Sequence, residues 1–170
     1  MARRPLPLLA CSLLALGLSG ITAVHAADMP STTPEIFAPG TISGPAGVDC
    51  LTFAPDGNTA YFDQQAGWNG FIMEAHRVGN GWSTPRIAPF SGQWQDHDPA
   101  MAPDGSFLVY TSNRADVAGG PALHGGHLWR VDRRGDGWGE PQRLPDAVNV
   151  GTSVYAPSVA ANGDVYYQRR

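Results

Sequence analysis

The sequence predicts an all-β fold assembled from repeated units of four short antiparallel strands. Three observations predict it. A strand–turn–strand phrase occurs three times: Phe53-Ala54-Pro55-Asp56-Gly57 before Thr59-Ala60-Tyr61-Phe62, Met101-Ala102-Pro103-Asp104-Gly105 before Phe107-Leu108-Val109-Tyr110, and Val159-Ala160-Ala161-Asn162-Gly163 before Val165-Tyr166-Tyr167. Glycine (21) and proline (15) interrupt the 170 residues too often for long helices. A Gly-Trp pair with a proline three residues on also recurs, as Gly81-Trp82 with Pro85 and Gly137-Trp138 with Pro141.

Each turn has a chemical reason. Proline presets φ at the second position of a type I turn, aspartate or asparagine caps it with a short side chain, and glycine takes the positive φ that closes it. The first unit then reads as strands at 48–53 and 59–63, a loop at 64–70, a strand at 71–78, a turn at 79–81 and an outermost strand within 82–89. The second unit matches element by element, with a first strand ending at Met101, a second at 107–112 and a third at 127–131. Asp56 recurs as Asp104 after 48 residues and Trp82 as Trp138 after 56. The extra residues fall in loops, where repeat architectures tolerate them. A third unit opens at Tyr155 and reaches its second strand, 165–168. Residues 27–47, rich in Pro, Thr, Ser and Gly, read as an extended lead-in.

Four strands and about 50 residues per unit, with tryptophan on the outer strand, describe a β-propeller blade. Nearly continuous apolar strands suit a blade covered on both faces. The expected blades are 48–90, 98–148 and an incomplete 155–170. The patterns Asp98-Pro99-x-x-Ala102-Pro103-Asp104-Gly105, Tyr110-x-Ser112-Asn113-Arg114 and Gly137-Trp138-x-Glu140-Pro141 resemble the WD-like propeller repeat of TolB-type periplasmic proteins. The resemblance covers roughly residues 45–170. It implies the blade more than the function, because such blades serve binding proteins, protease accessory domains and lipoproteins alike. Closed propellers take at least four blades, so this one is read as incomplete. Either the sequence is a truncated gene product without independent function, or copies close the ring as a homo-oligomer. The strand at 165–168 would otherwise be an apolar edge in need of cover.

The amino terminus reads as a secretory signal peptide over residues 1–26. Arg3 and Arg4 form the positive region, residues 6–18 the apolar core, and Val24-His25-Ala26 the small-residue cleavage site. The apolar run is too short for a membrane span, so the expected location is the periplasm or beyond. The formal net charge of −4 argues against nucleic acid or an anionic membrane surface as partner. Of the two cysteines, Cys11 leaves with such a leader. Cys50 then has no partner for a disulfide and reads as a small buried hydrophobe.

Blade topology sorts the polar residues onto two rims. Asp56, Asp104, Asn162, Asn80 and Asp136 fall in tight turns on one rim, where turn chemistry accounts for them. The other rim collects Trp68, Asp96, His97, Asp98, Arg114, His124 and His127, the candidate binding residues for a protein, peptide or glycan. His97, His124 and His127 are possible ligands for a divalent metal. Yet His124-Gly125-Gly126-His127 has no helix to align its rings, and no metal or other cofactor is expected. The resemblance implies a structural hydrogen bond for Asp98. Hydrolase motifs such as Gly-x-Ser-x-Gly, His-Glu-x-x-His and the Ser-x-Asp-x-Gly-x-x-Trp box are absent from the sequence. A non-catalytic binding module is therefore the leading reading, and a propeller hydrolase using the same rim, metal-assisted or not, the alternative. Trp82 and Trp138 are expected to be blade-packing residues rather than ligand stackers, and Trp68, between Gly67 and Asn69-Gly70, to present an exposed ring.

Overall fold

The computed structural model describes residues 33–66 and 69–170. Every regular element among them is a β-strand, and every strand pairing is antiparallel. The first sheet is built from β1 (Val48–Phe53), β2 (Thr59–Ala66), β3 (Asn69–Val78), β4 (Gly81–Trp82) and β5 (Arg86–Ile87). Its order is β1-β2-β3-β4, with β5 also on β3. The second repeats the plan with β6 (Asp96–Met101), β7 (Phe107–Ser112), β8 (His127–Arg134), β9 (Gly137–Trp138) and β10 (Gln142–Arg143), in the order β10-β8-β7-β6 with β9 on β8. A hairpin of β11 (Val154–Val159) and β12 (Val165–Arg169) follows. The fold is thus all-β and blade-like, as expected, with the blades packed side by side within Glu35–Arg170.

The turns form by the chemistry their residues carry. Gly57, Gly105 and Gly163 adopt φ of 69°, 73° and 87°. Their amides donate to the carbonyls of Ala54, Ala102 and Ala160 at 2.8–2.9 Å. Asp56, Asp104 and Asn162 each accept a backbone N–H two residues on, at 2.9–3.1 Å. Those hydrogen bonds hold the Asp56 carboxyl below its usual range; for Asp104 the Ser106 hydroxyl and amide do so.

The strands differ from the sequence pattern in detail. β2 and β3 stay paired out to Ala66 and Asn69, so the connection between them is far shorter than a 64–70 loop. The outermost strand is broken into β4 and β5, and likewise β9 and β10. Pro85 and Pro141 in the gaps cannot donate to a ladder. The third turn is one residue shorter than the others: Ala160 N bonds to Asp164 O, whereas Ala54 and Ala102 reach Thr59 and Phe107.

Side chains between blades form the core. Tyr61, Ile72, Ala88 and Phe90 of the first sheet and its exit loop meet Met101, Leu108, Tyr110, Trp129 and Val131 of the second. Trp138 closes this layer edge-on against Tyr61 and Phe90, at centroid distances of 5.7 and 5.3 Å. Phe107, Val109, Leu128 and Val154 begin the next layer, against which Val165 and Tyr167 pack. On the other side of the first sheet the lead-in folds over rather than running extended. Ile42, 2% exposed, joins Ala60, Phe62 and Ala75, and Phe37 packs on Phe53 and Trp82. Both repeat tryptophans therefore pack against sheet faces, as their spacing suggested.

Candidate functional site

The strands β1, β6 and β11 are the first of their sheets and lie next to one another. Each carries a bulge at the matching place, between Val48 and Leu51, His97 and Ala100, and Tyr155 and Ser158. A bulge re-aims the side chains beside it. Here it turns Asp98 into the left-handed region, φ 53°, which aspartate tolerates better than most residues. The carboxylate then reaches three strands. Asp98 Oδ1 accepts from Cys50 Sγ at 3.2 Å, and Oδ2 from Thr111 Oγ1 at 3.1 Å and Ala156 N at 3.0 Å. Cys50, Asp98 and Ala156 occupy equivalent bulge positions in the three units, so one aspartate ties its two neighbours to its own blade. Burial, with Asp98 beside it, pushes the Cys50 thiol up to about 12, which keeps it protonated and a donor.

A cavity of about 350 Å³ opens above this tie, lined by Asp49, Asp63, Gln65, Gln95, His97 and Asp98 among others. Asp63, fully buried, accepts the Cys50 amide at 2.7 Å through Oδ1 and faces His97 Nδ1 at 3.4 Å through Oδ2. Gly70 leaves the space the imidazole fills: a Cβ there would lie 1.9 Å from His97 Cε1. Gly125 and Gly126 supply bare backbone on the opposite wall. The Asp63 hydrogen bond raises the His97 pKa above its ordinary value, with Asp98 and Asp96 adding to the effect and burial opposing it.

A pH dependence follows. A histidine whose folded pKa is raised contributes stability that is fully present below the unfolded value of about 6.5 and is lost as pH rises through the folded pKa. We expect the His97 imidazole to titrate above the other histidines in an NMR pH series. Asp63→Asn, which keeps an acceptor for Cys50 N, is expected to return it toward 6.5. An unshifted His97 in the unsubstituted protein contradicts the pairing.

The predicted rim residues separate into groups. His97 and Asp98 share the cavity. Asp96 lies behind it, wholly buried, with Oδ2 accepting from Ser91 Oγ at 2.7 Å. Burial raises its pKa against the opposing pull of the Ser112 and Ser91 hydroxyls and Arg114. Arg114 turns elsewhere, donating to Phe90 O at 2.6 Å and lining a second cavity of about 290 Å³ with Gln93, Trp138 and Glu140. His127 has both ring nitrogens engaged, with Nδ1 3.2 Å from Arg143 Nη2 and Nε2 3.3 Å from the His124 carbonyl. Neither His124 nor His127 lines the cavity. Trp68 lies outside the described residues. Among the described residues no three His, Cys, Asp or Glu side chains gather closely enough to hold a metal ion. Nor is any helix among them long and apolar enough to cross a membrane.

Asp49, Asp63, Gln65, Gln95, Asn113 and Tyr155 were not singled out by the sequence reading. The available signal was the polar run Asp63-Gln64-Gln65 ending an otherwise apolar strand, together with the alignment of Asp49, His97 and Tyr155 one residue before each bulge position.

No protein-family model and no curated protein matches the chain. Among solved structures it is similar to the crystal structure of TolB from Acinetobacter baumannii, at 22% sequence identity and a TM-score of 0.47, over 71% of this chain and 26% of that one.

Proposed function

We propose that the chain is a periplasmic, propeller-type binding module that holds a protein, peptide or glycan in the cavity beside its inner strands without transforming it. The observation that carries this reading is a concave polar site whose walls are fixed before any ligand arrives. Asp63 and Asp98 are held by donors from β1, β7 and β11, so little ordering remains to oppose binding. His97 and Asp98 line the cavity, and Asp96 is buried next to them in β6, held by Ser91. The remaining candidates, Trp68, Arg114, His124 and His127, rest on the sequence pattern alone. The charged, apolar and small-residue regions at residues 1–26 support the periplasmic address.

A ligand screen by thermal shift, with peptides and glycans, tests this. A true ligand raises the unfolding midpoint of the unsubstituted protein, leaves that of His97→Ala unmoved, and is recovered chemically unchanged. A ligand that stabilises both proteins equally binds elsewhere and overturns the assignment. The His97–Asp63 pair favours a second reading, general-base hydrolysis. Consumption of the ligand, lost in His97→Ala, would establish that reading instead.

A further inference from the structure

We infer that the ligand of this cavity is a neutral glycan, contacted as individual sugar rings rather than as a peptide side chain. The inference rests on the reading of the cavity as a binding site and goes on to name its ligand class. Its ground is the inventory of the wall. Among the thirteen described lining residues there is no Val, Leu, Ile, Met, Phe or Trp. Pockets that select apolar peptide side chains are lined by such residues. This wall instead presents carboxamides (Gln65, Gln95, Asn113), hydroxyls (Thr111, Ser112, Ser153), an imidazole and one phenol, Tyr155.

The polar capacity left over has a particular character. Gln95 and Asn113 hold each other's backbone: Gln95 N donates to Asn113 Oδ1 at 2.9 Å, and Asn113 N to Gln95 O at 3.3 Å. Among the described residues the Gln95 carboxamide, the Asn113 Nδ2 group, His97 Nε2 and the Tyr155 hydroxyl carry no further bond. Carboxamides and hydroxyls both donate and accept, as do the hydroxyls of a sugar, which can therefore meet them in pairs. Charge points the same way. Asp63 and Asp98 already accept internal donors, Asp49 takes the Gln65 amide at 2.6 Å, and His97 Nδ1 faces Asp63. An anionic ligand would meet three carboxylates.

Isothermal titration of the full chain with maltose, lactose and chitobiose, alongside glucuronic acid and a mixed tetrapeptide pool, tests the inference. At least one neutral disaccharide is expected to bind, and Gln95→Ala and Tyr155→Phe each to weaken it about tenfold with the unfolding midpoint unchanged. Binding of tetrapeptides or glucuronic acid in place of the neutral sugars, lost in Gln95→Ala, overturns the glycan assignment and leaves the cavity a binding site. Sugar binding that neither substitution weakens also overturns it. Absence of binding by every probe overturns both readings.

Discussion

Asp98→Ala is expected to lower the unfolding midpoint on the order of 10 °C, the consequence of losing about 3 kcal/mol. The substitution leaves three donors, the Cys50 thiol, the Thr111 hydroxyl and the Ala156 amide, without their common acceptor. It also places alanine at φ 53°, which costs an L-residue about 1 kcal/mol. Because the three donors come from three sheets, the loss is not local. The inner strands lose the contact that joins them, and the cavity floor loosens with it. Asp98→Asn is expected to recover about half of the loss, since asparagine tolerates the left-handed region and keeps one acceptor. A midpoint unchanged in Asp98→Ala, read by circular dichroism on heating, contradicts the tie.

Gly125→Ala is expected to be as damaging, by a different cause. Its φ is 74°, and a Cβ there would lie 2.0 Å from the Thr152 carbonyl oxygen. A backbone oxygen cannot swing aside as a side chain can. Thr152 is itself pinned, its amide donating to Arg170 O at 2.9 Å. The wall between the second blade and the third hairpin must therefore open, at a cost above about 3 kcal/mol. Gly163→Ala provides the control: φ is 87°, but nothing lies within 4 Å of the added atom. Only the left-handed strain of about 1 kcal/mol is expected there. Equal losses in the two variants, measured by urea unfolding, would mean that contact with Thr152 contributes nothing.

Where the sequence was informative and where it was not has a physical explanation. The turns, the strands beside them and the packing of Trp82 and Trp138 were legible, because they depend on local chemistry repeated at fixed spacing. Pro, Asp and Gly each impose a backbone angle, and the pattern is visible three times. The aspartate of the second repeat is legible as well, and the family resemblance implies a structural hydrogen bond for it. Its reach is not legible. Thr111, Cys50 and Ala156 are 13, 48 and 58 residues away, and no local pattern records which strand a bulge will face. The rim histidines show the same limit from the other side. Blade topology brought His97, His124 and His127 to one end of a blade, but their side chains diverge. His97 is drawn to Asp63, and His127 is taken up by Arg143. The cavity itself is composite, its wall contributed by residues from all three units, and composite sites leave little trace in any one repeat.

The most direct test of the central claim, that ligand is held beside the inner strands, is amide-resolved NMR mapping on the isotopically labelled chain with any ligand that raises its unfolding midpoint. The account predicts shifts concentrated at Gln95, His97, Asp98, Gly125 and Gly126, with the turns at Gly57, Gly105 and Gly163 unmoved. Shifts confined to the turns, or to the aromatic face around Phe37 and Trp82, would contradict it.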